Sequence, residues 1–178
     1  MVNEGGNTET AHEEIQDLVS ALADPSVDRR HEAVSALKSI GEPAVPVLIL
    51  AMAEAHDNDR RWYAAIALSR IGVPAIAPLI AAMKANTSPL FRKYAAASLG
   101  EIGVPAIEAL IDGMESDDPA LRGFLSQALC RIGKPAVEPL TRRLGDSSQI
   151  IRQCATLTLW QMGETGLSTI IEKMQDEE

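Results

Sequence analysis

Residues 70–79 read RIGVPAIAPL, and the phrase returns as SIGEPAVPVL at 39–48, EIGVPAIEAL at 101–110, RIGKPAVEPL at 131–140 and, more loosely, QMGETGLSTI at 161–170. Its glycines, Gly41, Gly72, Gly103, Gly133 and Gly163, are spaced 31, 31, 30 and 30 residues apart. Self-similarity at a fixed period marks a repeat architecture, in which one unit cannot bury its apolar face alone and neighbours must stack.

Counting from each glycine exposes the unit. Eleven residues before it stands an arginine every time: Arg30, Arg61, Arg92, Arg122 and Arg152. Eight before it come Ala33, Ala64, Ala95, Leu125 and Ala155, and four before it Leu37, Leu68, Leu99, Leu129 and Leu159. One before it come Ile40, Ile71, Ile102, Ile132 and Met162. Offsets of eight, four and one share a single face of an α-helix. The glycine itself is expected in the left-handed conformation that ends a helix.

Past the glycine, Pro43, Pro74, Pro105 and Pro135 suit the first turn of a new helix, where a missing N–H costs nothing. Apolar residues then fall seven and eleven positions on, as in Leu48/Met52, Leu79/Met83, Leu110/Met114, Leu140/Leu144 and Ile170/Met174. Each unit is thus predicted as two antiparallel helices of roughly 11–14 residues with narrow apolar stripes. The helix after the proline is called A, and the helix carrying the arginine B. Segment 10–23 fits the A pattern and opens with Thr10 and Glu13 at capping-box spacing.

The chain is therefore read as all-α. Residues 1–9 are expected to be a disordered acidic tail and 10–176 a single repeat domain. The repeats run over about 10–41, 42–72, 73–103, 104–133 and 134–163, followed by a terminal capping helix over 166–176.

Composition agrees with this reading. The hydrophobic fraction is 46% but the aromatic fraction only 3%, so the apolar content is Ala, Leu, Ile and Val, which suits close-packed helices. The formal net charge of −9 sits at the ends, and residues 25–171 are balanced. Acidic end helices keep a stack soluble and discourage end-to-end association. No apolar run reaches the roughly 18–20 residues that cross a bilayer. The polar, acidic start MVNEGGNTETAHEE does not read as a signal or transit peptide. Two isolated cysteines, Cys130 and Cys154, make neither a disulfide framework nor a zinc ligand set, and a cytoplasmic location is expected.

The pattern R-x-x-A-x-x-x-L-x-x-I-G-x-P-A-I-x-x-L resembles the HEAT-like repeat first described in phycobilisome lyases, over about residues 10–176. That resemblance implies a right-handed α-α superhelix, with A helices convex and B helices lining the concave side. It also implies that the arginine column is structural, bonding to turn carboxylates or carbonyls of adjacent repeats. Asp24, Asp57, Asp117 and Asp146 are the candidate acids, and the third unit offers Thr87 and Ser88.

Function is sought where the repeats differ. All six aromatics, Trp62, Tyr63, Phe91, Tyr94, Phe124 and Trp160, fall on B helices. Tyr63, Tyr94 and Phe124 share one column, nine residues before the glycine. Arg70, Glu101 and Arg131 share another, two before it. Tyr and Trp flanked by Arg make up a protein-binding hot spot. The reading is a scaffold or adaptor that holds a protein partner on its B-helix face, as a monomer or weak homo-oligomer. Trp62, Tyr63, Tyr94 and Phe124 would be the anchors, and Arg70, Glu101 and Arg131 the polar specificity. Phe91 and Trp160 are expected to plug gaps between helix layers.

Other classes are weaker. His31-Glu32 resembles the His-Glu motif of deoxyhypusine hydroxylase, but the equivalent pairs are Trp62-Tyr63, Lys93-Tyr94, Gly123-Phe124 and Gln153-Cys154. One pair cannot hold a di-iron centre. A bilin lyase subunit is an alternative suggested by the resemblance alone, and no residue constellation marks a pigment site. Nucleic acid is disfavoured. Eleven of the sixteen basic residues lie on B helices, but five are the arginine column, and Asp28, Glu32, Asp59 and Glu101 interrupt the rest. No phosphate loop, dinucleotide fingerprint or metalloprotease motif occurs, and no cofactor is expected.

Overall fold

A computed structural model describes the backbone of residues 5–168 and 171, and the side chains of 10–168 and 171. The described residues contain no strand, and ten α-helices are followed by a further helical segment. The A helices are α1 (Gly5–Ala21), α3 (Val45–Glu54), α5 (Ile76–Ala85), α7 (Ile107–Gly113) and α9 (Val137–Arg142). The B helices are α2 (Val27–Ile40), α4 (Asn58–Ile71), α6 (Pro89–Ile102), α8 (Pro119–Ile132) and α10 (Gln149–Gln161). Helical residues 164–168 follow, and most of the terminal helix expected over 166–176 lies outside the described residues.

The domain read over 10–176 forms two compact units, Met1–Pro78 and Leu79–Glu178. Each repeat of such a fold touches only its neighbours, so no single core ties all repeats together. In the first unit α1 packs on α2 and α3, while α4 packs on both α2 and α3. In the second, α8 packs against α6, α7 and α10, and α9 lies against α7 and α10.

The repeat columns are the core. The alanines and leucines eight and four residues before each glycine are buried, as are Leu48, Leu79, Leu110, Leu140, Met52, Met83 and Met114. Leu144 is only half-buried, because α9 stops at Arg142 and passes into a 3-10 turn, Arg143–Gly145. Ile170 and Met174 lie outside the described residues.

Three sequence expectations need correction. The chain is already helical from Gly5, inside the expected tail, and Thr10 therefore does not cap α1. Once a helix is nucleated, each further residue adds a hydrogen bond, and no proline interrupts this stretch. The A helices α3, α5, α7 and α9 are also shorter than expected, at 10, 10, 7 and 6 residues. The repeat prolines sit in separate 3-10 turns, Glu42–Ala44, Val73–Ala75, Val104–Ala106 and Lys134–Ala136, which consume the first turn.

The third correction concerns the glycines. Gly41, Gly72, Gly103 and Gly133 have φ of 76, 82, 81 and 75° but ψ of −133, −131, −138 and −139°. This is not the left-handed helical well, which Asn tolerates, but the nearly glycine-only region beyond it. A Cβ built on Gly41, Gly72 or Gly133 meets nothing within 4 Å, and one on Gly103 meets only a backbone oxygen at 4.0 Å. The requirement is thus in the backbone. It turns the chain by 118° between Val27–Ile40 and Glu42–Glu54, and by 120° between Pro89–Ile102 and Val104–Gly113.

At its other end every B helix carries a side-chain N-cap: Ser26, Asp57, Ser88, Asp118 and Ser148. Two residues earlier, Asp24, Asn86, Ser116 and Asp146 accept a bond from the cap's own N–H. These Asx and Ser turns fix where each B helix starts.

Gly103→Ala is expected to lower unfolding free energy by about 1–3 kcal/mol, the cost of forcing a Cβ into that region. Gly123→Ala, in the exposed middle of α8 with nothing within 4 Å of the new methyl, is expected to raise it by about 0.5–1 kcal/mol. Urea titrations of the two variants measure both.

Candidate functional site

The arginine column is the frame of the B-helix face. Its guanidinium reaches back six residues to a carbonyl of the preceding turn: Arg61 to Ala55, Arg92 to Asn86 (2.9 Å), Arg122 to Ser116 (2.6 Å) and Arg152 to Asp146 (2.6 Å). Arg61 and Arg92 also donate Nε to the last turn of the A helix, at Met52 O (3.2 Å) and Met83 O (2.9 Å). Both side chains are buried, Arg92 to 2% exposure. The column is structural, but most of its bonds run to the turn of its own repeat.

Three of the four acids expected to pair with it do other work. Asp24 and Asp146 hold the turns, and Asp57 caps α4, accepting from Arg60 N. Two carboxylates that the column reaches are Asp59 of α4, 3.0 Å from Arg30, and Asp118, the N-cap of α8, 2.7 Å from Arg92. Arg30 departs from the column's habit: its guanidinium lies 4.9 Å from the centre of the Tyr63 ring as well as on Asp59.

The exposed face differs from the expected one. Tyr63 is buried at 9% exposure, covered by the Arg30 guanidinium and by an edge contact with His31 at 5.7 Å between ring centres. Tyr94 and Phe124 are half-buried. The column nine residues before the glycine is therefore buried or half-buried, and the neighbouring column carries the exposed side chains. Ten residues before the glycine, His31, Trp62, Lys93, Gly123 and Gln153 are all exposed. So is the column two before it, Ser39, Arg70, Glu101, Arg131 and Gln161. Adjacent helix positions are about 100° apart, enough to move a side chain from the solvent into the layer.

Of the other aromatics, Phe91 is packed in the core as expected, whereas Trp160 is 64% exposed and plugs nothing.

Of the polar candidates, Glu101 and Arg131 are joined to each other, with Arg131 Nε 2.8 Å from Glu101 Oε1. The Arg131 stem lies across Gly100, where a Cβ would come within 2.7 Å of Cδ. This exposed pair orders α6 against α8 and contributes little net stability. Arg70 stands exposed and makes no ion pair among the described residues. Between α6 and α8, Lys93, Ala96, Ala97, Gln127, Ala128 and Arg131 line a shallow groove of about 200 Å³.

A second groove, of about 220 Å³ in the first unit, was missed. It lies between A helices α1 and α3, lined by Val19, Val47, Leu50, Ala51, Glu54 and Arg60 among others. The signal was Leu50, 55% exposed, at a position where other repeats have Ala81, Asp112 and Arg142.

No cluster of three or more His, Cys, Asp or Glu fit to hold a metal occurs among the described residues. Burial pushes the thiols of Cys130 and Cys154 up, which keeps them protonated at neutral pH. No single described helix is long and apolar enough to cross a membrane.

The sequence pattern of HEAT repeats matches residues 15–100, 45–122, 76–160 and 107–178 in overlapping pairs of units. The chain belongs to the HEAT-repeat family. Such repeats generally form scaffolds and commonly mediate protein interactions. Among solved structures, the complex of CpcE and CpcF of phycocyanin lyase from Nostoc sp. PCC7120 is similar at 23% identity. The match covers 81% of this chain and 96% of that one, with a TM-score of 0.42. An engineered protein matches at 20% identity over 92% of this chain and 86% of its own, with a TM-score of 0.35. A computationally designed armadillo repeat protein for modular peptide recognition matches at 16% identity, over 91% and 92%, with a TM-score of 0.34. No curated protein matches the chain.

Arg92 makes the most buried of these bonds. Arg92→Met leaves two carbonyls without their donor, with an expected loss of about 3 kcal/mol of unfolding free energy in denaturant titrations. The Arg92 guanidinium first, and the Leu121 N–H next, hold the Asp118 carboxyl below the usual carboxylate range. A lowered folded pKa adds stability that is present above the unfolded value, about pH 4, and is lost as pH falls through the folded one. Plots of Tm against pH for the native protein and Asp118→Asn are expected to be separated at neutral pH and to converge in acid.

Proposed function

We propose that this HEAT-repeat chain is a non-catalytic adaptor that docks a partner protein on the exposed face of its B helices. The observation that carries the reading is that both tryptophans stand out of the core on B helices, Trp62 at 48% and Trp160 at 64% exposure. Trp is normally among the most buried side chains, and exposed Trp and Arg are the residues that dominate binding energy. Trp62 shares its helix with exposed Arg70. In the other unit the groove between α6 and α8 offers an apolar floor of alanines with Lys93 and Gln127 at its rim. An apolar floor with a polar rim is the make-up of a protein-binding patch.

Affinity capture with the full chain as bait, against Trp62→Ala and Gln127→Glu baits, tests the proposal. Capture of the same partner is expected to fall at least tenfold for Trp62→Ala, about 1.4 kcal/mol or more. Helicity and Tm should be unchanged. Equal capture by the native and both variant baits would place the partner elsewhere, the A-side groove around Leu50 being the next surface to alter.

A further inference from the structure

The column twelve residues before each glycine is a core position. Phe91, Leu121 and Ile151 fill it on α6, α8 and α10, at 2, 1 and 4% exposure. On α2 it holds Arg29, which stands in solvent and pairs with Asp24 at 3.7 Å. On α4 it holds Arg60, so a cation takes the place of the apolar plug. This side chain is half-buried and reaches the groove between α1 and α3. Its Nε is buried without a hydrogen bond, and its guanidinium makes no ion pair among the described residues. Arg30 Nε is buried in the same way, but that guanidinium is met by Asp59 and the Tyr63 ring. Arg60 has neither.

A partly buried cation with no acceptor costs the fold stability. Positions that break the packing rule with no local compensation are where function is to be sought. The groove around Arg60 has an apolar wall, with Val19 and Ala51 buried and Leu50 55% exposed. Of its polar groups, Ser20 Oγ donates to Gln16 O at 2.9 Å, and Gln16 Nε2 is 3.0 Å from His12 Nε2. Glu54, also in the lining, is exposed and makes no ion pair among the described residues. An unmatched guanidinium beside an exposed aliphatic side chain is complementary to a carboxylate carried next to an apolar group. The two charges join through a planar fork of hydrogen bonds, which an ammonium cannot form. The groove, about 220 Å³, is smaller than the roughly 300–1,000 Å³ that enclose a small ligand. The carboxylate therefore arrives on a larger body.

We propose that the α1–α3 groove docks an acidic–aliphatic segment of a partner protein, with an Asp or Glu on the Arg60 guanidinium and a Leu-like side chain against Leu50. This surface is separate from the B-helix face. Arg60 and Trp62 are two residues apart, about 200° around α4. Glu54 opposes the incoming acid and keeps the contact weak, and added salt loosens it further by screening.

Panning a phage-displayed random peptide library on the full chain tests this. Enriched clones are expected to carry Asp or Glu within about four residues of Leu, Ile or Met, the spacing that shares a helix face. Their capture is expected to fall about tenfold or more on Arg60→Met and on Leu50→Glu, to rise on Glu54→Gln, and to be unchanged on Trp62→Ala. The Tm of Arg60→Met is expected to equal or exceed the native value, because the column is apolar elsewhere. A lower Tm would show that Arg60 serves the fold, and would overturn the proposal. So would a library that yields no enriched clone, clones without an acid, or equal capture by native, Arg60→Met and Leu50→Glu proteins. Hexanoate serves as the free-acid probe. If it shifts the amide resonances of α1 and α3 saturably while no peptide is enriched, the groove takes a small acid and the docking proposal fails.

Discussion

A guanidinium bonded to the carbonyl six residues behind it holds each of the last four repeats together. The turn between an A and a B helix must present carbonyls that no longer have helical partners. Arg61, Arg92, Arg122 and Arg152 supply the missing donors from the first turns of the B helices. The arginine is thereby pinned at one end of its helix, and the alanine and leucine three and seven positions later fall on the buried face. The glycine after the leucine then ends the helix and swings the chain into the next A helix. Where the bond is absent, at Arg30, the guanidinium passes to Asp59 and the Tyr63 ring.

Burying a cation, as at Arg61 and Arg92, is costly unless it is fully bonded. Arg92 shows the solution in its most complete form, with two carbonyls and one carboxylate around a side chain of 2% exposure. Asp118 joins the scheme twice. It caps α8 through Ala120 N and Leu121 N, and it closes the charge of the repeat before it. The cap of one helix is therefore also the counter-ion of its predecessor. That ties the register of α8 to α6 by more than apolar packing.

The fold was legible because the columns repeat: a residue required for packing recurs in every unit, and its offset from the glycine gives the helix face directly. Which aromatic column faces the solvent was less legible. Tyr63 and Trp62 are neighbours in sequence and differ only by a step around the helix, yet one lies under Arg30 and the other in solvent. Nothing in the pattern fixes that step, because both columns vary between repeats. The N-caps and Asx turns were visible as Ser26, Asp57, Ser88, Asp118 and Ser148 at a constant offset. Their type alternates between Ser and Asp, so they form no column of one residue as the arginines do. The shortening of the A helices could not be seen, since proline is compatible with both an α first turn and a 3-10 turn.

The short reach of the arginine bond bears on how the chain acquires its structure. A hairpin whose key contact spans six residues, with its turn already shaped by an Asx bond across two, closes with little loss of loop entropy. Contacts between successive B helices, such as Arg92 with Asp118 or Arg131 with Glu101, span only about one repeat. Low sequence separation of this kind favours rapid folding. In a chain of such hairpins nucleation is not confined to one place, and structure grows outward from whichever turn orders first. Exchange of backbone amides with solvent follows the same logic in reverse, with the end repeats opening before the middle ones.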